Sequence, residues 1–138
     1  YGDLFSVGDN PFEIQGDGAK LEVLCDGTTF ITGIDLVGTH PLKEALAQHV
    51  QVAMSVARPG LSVAFQKFDR ILNDWIQVAG GIAPTIDAFF DVFYGDANLR
   101  EFGRATTLRM ITAPINDEDP SQDGWLTSVD LARVHYVR

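Results

Sequence analysis

The sequence predicts an α+β domain: an antiparallel sheet, built from hairpins at both ends of the chain, packed on three to four central helices. Three observations carry that expectation. Apolar residues alternate near the two ends of the chain. They recur every three or four residues across its middle. Finally, 138 residues with 46% apolar and 21% charged side chains make one globular domain.

Residues 1–18 hold Gly2, Gly8, Pro11, Gly16 and Gly18 around Leu4, Phe5, Val7, Phe12 and Ile14. No period orders these apolar residues, so the segment is expected to form an extended arm outside a domain spanning 19–138. Leu21, Val23 and Cys25 then alternate with Lys20, Glu22 and Leu24. Asp26-Gly27 suits a two-residue hairpin turn, and Thr28-Thr29-Phe30-Ile31 resumes a strand with β-branched and aromatic residues. Gly33 marks a bulge or bend in it.

Thr39-His40-Pro41 reads as a helix start, with Thr39 as the cap and Pro41 in the first turn. Leu42, Ala45, Leu46, Val50, Ala53 and Val56 follow at helical spacing until Pro59-Gly60. Leu61, Ala64, Phe65, Phe68, Leu72, Trp75 and Ala79 extend the spacing to Gly80-Gly81, although Leu61 to Phe65 also alternates as a strand does. Pro84 opens a third helix, with Ile86, Phe89, Phe90 and Phe93 on one side, Asp87 and Asp91 on the other, and Gly95 at its end. Asp96 caps a short fourth helix through Phe102. Arg104 to Ala113 and Ser128 to Val137 read as the strands of a closing hairpin. A pattern shift between Leu131 and Val134 signals a bulge or a strand buried on both faces.

Net charge narrows the partners. The chain carries 19 acids against 10 bases, a charge of −9, and its bases never cluster, which opposes nucleic-acid binding. The uncharged stretch Trp75 to Ile86 is broken by Gly80, Gly81 and Pro84, so no membrane span or anchor is expected. The chain opens on Tyr-Gly-Asp with no signal peptide and no initiator Met, as in a processed product or a piece of a longer sequence. A single cysteine, Cys25, rules out an internal disulfide and fits a virion or the cytoplasm.

No P-loop, dinucleotide fingerprint, zinc-protease motif or serine elbow occurs, so no catalytic residue and no cofactor is assigned. His40, His49 and His135 fall on different elements and are read as structural or surface residues. Cys25 is read as a small strand residue rather than a nucleophile. Asp117, Asp119 and Asp123 alternate as calcium ligands do. An EF-hand, however, needs Gly where Gln122 stands and Glu where Ser128 stands, so segment 114–124 is also read as a solvated hairpin loop. Asp87, Asp91 and Asp96 form a candidate carboxylate group, with a solvent-exposed face as the plainer reading. Phe65, Phe68, Trp75, Phe89, Phe90 and Phe93 are candidates to line an apolar ligand pocket, with ordinary core as the alternative.

The terminal stretch Asp123-Gly-Trp-Leu-Thr-Ser-Val-Asp-Leu-Ala-Arg-Val-His-Tyr-Val137 resembles the closing strand of small phage tail-completion and tail-assembly proteins. That resemblance implies a single α+β domain that forms rings, and it carries over no functional residue. The helical middle departs from the family by its length and by following a hairpin. Two functions are thus expected. The first is a non-catalytic structural or assembly subunit of a virion (phage tail or head), a homo-oligomer or a partner of other assembly subunits. Its arm residues Leu4, Phe5, Val7, Phe12 and Ile14 would form the interface. Charge asymmetry suits it, with seven acids and one base in residues 1–35. The second is a small enzyme or ligand-binding domain using the aromatic pocket.

Overall fold

The computed structural model describes residues 2–3, 21–25, 32–39, 46–100, 105–115 and 124–137. They form strands β1 Gly2–Asp3, β2 Leu21–Cys25, β3 Thr32–Thr39, β4 Leu46–Val56, β5 Leu61–Asp69, β6 Asp74–Ile82, β7 Ala88–Phe93, β8 Ala105–Pro114 and β9 Trp125–Val137. One sheet runs β1-β3-β8-β5-β6 and the other β2-β9-β4-β7. All pairings are antiparallel except that of β1, which lies parallel to Ile34 and Asp35 of β3.

Leaving β1 aside, the pairing is nested. β2 pairs with β9, β3 with β8, β4 with β7 and β5 with β6. This long double ribbon folds over once, so that β9 meets β4 and β8 meets β5. Eight strands in that order make a jelly roll. Its core lies between the sheets. Ile34, Leu36, Leu61, Val63, Phe65, Leu108 and Met110 come from one side, and Val50, Val52, Met54, Val56, Val92, Trp125 and Val129 from the other.

The α+β expectation is therefore overturned: the described residues hold no α-helix, and the expected helices are strands. Segment 46–56 shows why. Leu46, Val50, Ala53 and Val56 fit a helix, while Val50, Val52, Met54 and Val56 fit a strand. The second set lies at 0–2% exposure on the face that meets the opposite sheet, while Ala53, also only 2% exposed, lies on the other face of the strand, opposite Phe89 in the register. Valine also loses rotamer freedom in a helix and suits a pleated surface. In β5 the alternation glimpsed at Leu61 to Phe65 is the operative pattern and continues through Lys67 and Asp69. In β7, Phe90 and Val92 face inward while Phe89, Asp91 and Phe93 face outward, which splits the set that a helix would have kept on one side. The fourth helix shrinks to one 3₁₀ turn, Ala97–Leu99. Asp96 does cap it, its Oδ1 accepting from the Asn98 N–H at 2.8 Å.

Neither terminal hairpin forms, since β2 and β3 lie in different sheets, as do β8 and β9. A local turn preference cannot hold two strands together when each finds a better-buried partner far along the chain. Between Leu131 and Val134 the register runs unbroken, so no bulge falls where the pattern shift placed one; Leu131 and Ala132 are instead both buried, and a bulge lies just before them, where Ala53 faces Leu131 and Met54 faces Val129 and Asp130 is the extra residue. A similar irregularity at Phe65/Gln66 makes Val78 the extra residue of β6. Gly80 lies within β6 rather than ending a helix. A Cβ there would sit 2.8 Å from the Val63 carbonyl oxygen, so the close strand approach requires glycine. Arm residues 4–18 and loop residues 116–123 lie outside the described residues. Among the described residues, no helix is long and apolar enough to cross a membrane.

Candidate interaction surface

Strands β6 and β7 end their sheets on the same flank, and the residues between them tie the two sheets together. The Ala83 N–H donates to the Leu61 carbonyl, and the Pro84 carbonyl accepts from the Val56 N–H, each at 2.8 Å. The chain thus pairs with one sheet and then with the other in consecutive residues. This flank leaves large apolar side chains in water: Ile82 is 75% exposed, Ile86 82%, Phe89 66% and Phe93 63%.

Strand periodicity explains the arrangement on β7. Phe90 faces inward and packs on Phe65, with ring centroids 5.2 Å apart. Phe89, Asp91 and Phe93 share the outer face with Ala53, Gln51 and His49 of β4, which lie directly opposite them. The His49 and Phe93 rings stack at 4.7 Å.

A second exposed apolar feature is the β5–β6 hairpin tip. Asp69 is buried, and its Oδ1 accepts from the Ile71 N–H at 2.8 Å and the Leu72 N–H at 3.1 Å. Asn73 takes the left-handed conformation, φ 53°, which Asn tolerates well. The turn is thereby fixed while Ile71 and Leu72 point into solvent, 71% and 65% exposed. Beside them the exposed Arg70 donates to the Arg100 carbonyl at 3.2 Å.

The outer face of the larger sheet carries a polar and aromatic row. Arg109 on β8 makes two bonds to Asp35 on β3, at 2.8 and 3.2 Å. Its guanidinium lies 3.8 Å from the Trp75 ring centroid, and Phe68 meets Trp75 edge-on at 5.7 Å. Inside the sandwich, fully buried Lys67 donates to the Thr107 carbonyl and stands 5.0 Å from the Tyr94 ring centroid.

The six candidate pocket aromatics thus stand in three places. Phe65 and Phe90 meet at the core, Phe68 and Trp75 meet on the outer face of one sheet, and Phe89 and Phe93 share the outer face of the other. Asp91 lies between Phe89 and Phe93, not opposite them, because a strand puts residues two apart on one face. Asp87 precedes β7, and Asp96 caps the 3₁₀ turn. The register sets His49 opposite His135, and Cys25 ends β2 opposite Trp125. His40, Asp117, Asp119, Asp123, Leu4, Phe5, Val7, Phe12 and Ile14 all lie outside the described residues. Among the described residues, no group of three His, Cys, Asp or Glu could hold a metal. Sequence reasoning missed the Ile71-Leu72 tip. Asp69, Asn73 and Asp74 around it were a readable turn signal, which the spacing of Phe68, Leu72 and Trp75 outweighed.

No protein-family model and no curated protein matches the chain. Among solved structures it is similar to the infectious bursal disease virus Gx strain, with a TM-score of 0.47 and 14% identity over 87% of this chain and 35% of that one. It is also similar to the VP2 subviral particle of infectious bursal disease virus, with a TM-score of 0.45 and 14% identity over 86% of this chain and 33% of that one. A family two carbohydrate esterase from Cellvibrio japonicus has a TM-score of 0.32 and 9% identity, over 86% of this chain and 36% of that one. The chain spans about a third of the length of each of these structures. The α+β domain implied by the resemblance to phage tail-completion proteins is replaced by a jelly roll, in which Trp125–Val137 is an inner strand.

Proposed function

We propose that this chain is a non-catalytic structural subunit of a virion that assembles with copies of itself or with other assembly subunits. The observation that carries the reading is the exposure of Ile82, Ile86, Phe89 and Phe93 on and between β6 and β7, which are edge strands of the two sheets among the described residues. An exposed edge strand is a template for pairing, and proteins that must stay apart cover it or charge it. Here the edge strand β7 exposes two phenylalanines with a single acid, Asp91, between them. Jelly rolls serve capsid domains, lectins and cupins alike, and a fold does not select among functions, so the surface has to decide. A charge of −9 with scattered bases directs the surface toward protein rather than nucleic acid.

Light scattering after size exclusion, over rising concentration, tests the reading. Discrete assemblies are expected, and a monomer at every concentration would overturn it. The arm belongs to the same proposal, with Leu4, Phe5, Val7, Phe12 and Ile14 seated on a neighbouring copy. Deleting residues 1–18 is then expected to lower assembly and leave melting unchanged. Gly2 and Asp3 lie along their own β3, which favours the competing arrangement of an arm held within its own domain. A truncated chain that unfolds would establish that arrangement. A second reading, a ligand-binding domain, draws on the Asp35–Arg109–Trp75–Phe68 row, where an aromatic pair and hydrogen-bonding groups share one face.

A further inference from the structure

The outer face of the larger sheet is built in rows. Asp35, Arg109, Gln66 and Gln77 stand directly opposite one another on β3, β8, β5 and β6. Next to that row, on one side, Phe68 stands opposite Trp75. On the other side Ala64 stands opposite Gly80. The polar row thus runs between an aromatic pair and a floor of small residues. We infer that this face binds a neutral oligosaccharide. Trp75 and Phe68 meet the apolar faces of its sugar rings, while Arg109, Gln66 and Gln77 bond its hydroxyls. This rests on the ligand-binding reading of the row, is compatible with assembly, and names the ligand class.

Three features support that ligand. The first is charge. Arg109 is the row's one cation and Asp35 its one anion, and the two share hydrogen bonds of 2.8 and 3.2 Å. The row is therefore neutral, on a chain of charge −9. A sulfated, phosphorylated or carboxylated ligand is repelled by the chain and finds the cation already neutralised. A cationic ligand finds the acid neutralised in the same way. The second is chemistry. A glutamine amide both donates and accepts, as a sugar hydroxyl does, and an aromatic ring adds apolar area on the same face. Ala64 and Phe68 lie ~13 Å apart along β5, the reach of a short chain of sugars rather than one ring. A peptide suits the place less well, because β8 and β5 are inner strands whose backbone groups are already paired.

The third is rigidity. Asp35 holds the Arg109 guanidinium, which lies 3.8 Å from the Trp75 ring centroid, and Phe68 meets Trp75 edge-on at 5.7 Å. Gln77 is laid over Gly80, its Nε2 2.8 Å from where a Cβ of residue 80 would stand. Groups already held in place lose little freedom when a ligand arrives. The row is also within reach of solvent, with Asp35 35% and Phe68 37% exposed.

Nuclear magnetic resonance on the full chain tests the site. Maltohexaose, cellohexaose, xylohexaose and mannohexaose are the neutral probes, with a heparin fragment and a polyproline peptide as the charged and peptide probes. At least one neutral probe is expected to shift the Trp75 indole N–H and the Gln66 and Gln77 side-chain amides. The Trp125 indole N–H, buried and bonded to Thr112, is expected to stay in place. Trp75→Ala is expected to weaken binding tenfold or more. Gln77→Ala, at an exposed position, is expected to weaken it about fivefold, with thermal melting to verify each fold. If binding survives Trp75→Ala and Gln77→Ala unchanged, the sugar does not sit on this row. If only the heparin fragment or the peptide shifts these signals, the oligosaccharide is wrong and the ligand-binding reading stands. If no probe shifts them at millimolar concentration, both fall, while the assembly reading is decided separately by light scattering.

Discussion

Thr112 is the residue on which the joint between the two sheets is most sharply testable. It lies on β8, 1% exposed, and its hydroxyl accepts from the Trp125 Nε1–H at 3.0 Å. The same hydroxyl lies 3.1 Å from the Thr127 hydroxyl. Trp125 and Thr127 are on β9 of the opposite sheet and are 2% and 0% exposed. Thr112→Val keeps the shape and removes the oxygen, so no cavity opens and two buried polar groups lose a partner. Each such group costs about 1–3 kcal/mol. A freed Thr127 hydroxyl can rotate, which puts the expected total near ~2–4 kcal/mol. With a urea slope of ~1.5–2 kcal/mol/M, the unfolding midpoint falls by roughly 1–3 M. Thr112→Ser keeps the oxygen and loses a methyl, at ~1 kcal/mol. The polar substitution is thus expected to be milder than the apolar one, the reverse of what core hydrophobicity would dictate. Thr112→Val/Thr127→Val removes two of the three polar partners and is expected to cost less than the sum of its single changes. Urea melts monitored by tryptophan fluorescence measure the wild type, Thr112→Val, Thr112→Ser, Thr127→Val and the double variant. If Thr112→Val proves as stable as Thr112→Ser, the hydrogen bonds do not contribute as reasoned.

Gly80→Ala is expected to lower stability by about 1–3 kcal/mol, because the added Cβ meets a backbone oxygen that cannot move aside. Calorimetry would show it, and an unchanged melting temperature would mean β5 and β6 can separate there at no cost. Asp69→Ala removes the acceptor of two hairpin N–H groups and is expected to cost about 1 kcal/mol, with Asp69→Asn recovering most of it. Amide exchange at Ile71 and Leu72 gives a residue-level reading, and unaltered protection there would count against the turn as described.

Much of the strand content at the chain's ends was legible. Segments 20–37, 104–113 and 128–137 read as β and contain or overlap β2, β3, β8 and β9. The middle was misread for a definite reason. Two periods coexist in 46–56, and Ile86, Phe89, Phe90 and Phe93 fall at helical spacing by position alone. Only the opposite sheet, absent from any local window, chooses between them. Lys67 shows the same limit in another way. A lysine inside a strand argues for a wet face, yet this one is buried, bonded to the Thr107 carbonyl and placed beside the Tyr94 ring. The exposed apolar surface was the least visible part, since Ile71 and Phe89 look like core residues in any sequence. Their exposure follows from a turn and an edge, which are properties of the assembled sandwich.

The nested pairing also sets a timetable. Leu21 pairs with Val129, about a hundred residues later in the chain. At a synthesis rate of ~5–20 residues per second, β2 waits on the order of 5–20 s before its partner leaves the ribosome. Until then β4 has β7 on one side only, and both β2 and β4 offer bare backbone where β9 will lie. The central β5–β6 hairpin and the β4–β7 pair can form early, because their partners emerge close together. Closure falls to β9, which inserts between β2 and β4 and completes the second sheet in one step. A nascent chain stalled before Trp125 therefore exposes two strand edges at once. Losing β9, thirteen residues in all, would harm this protein more than losing any one strand at a sheet edge.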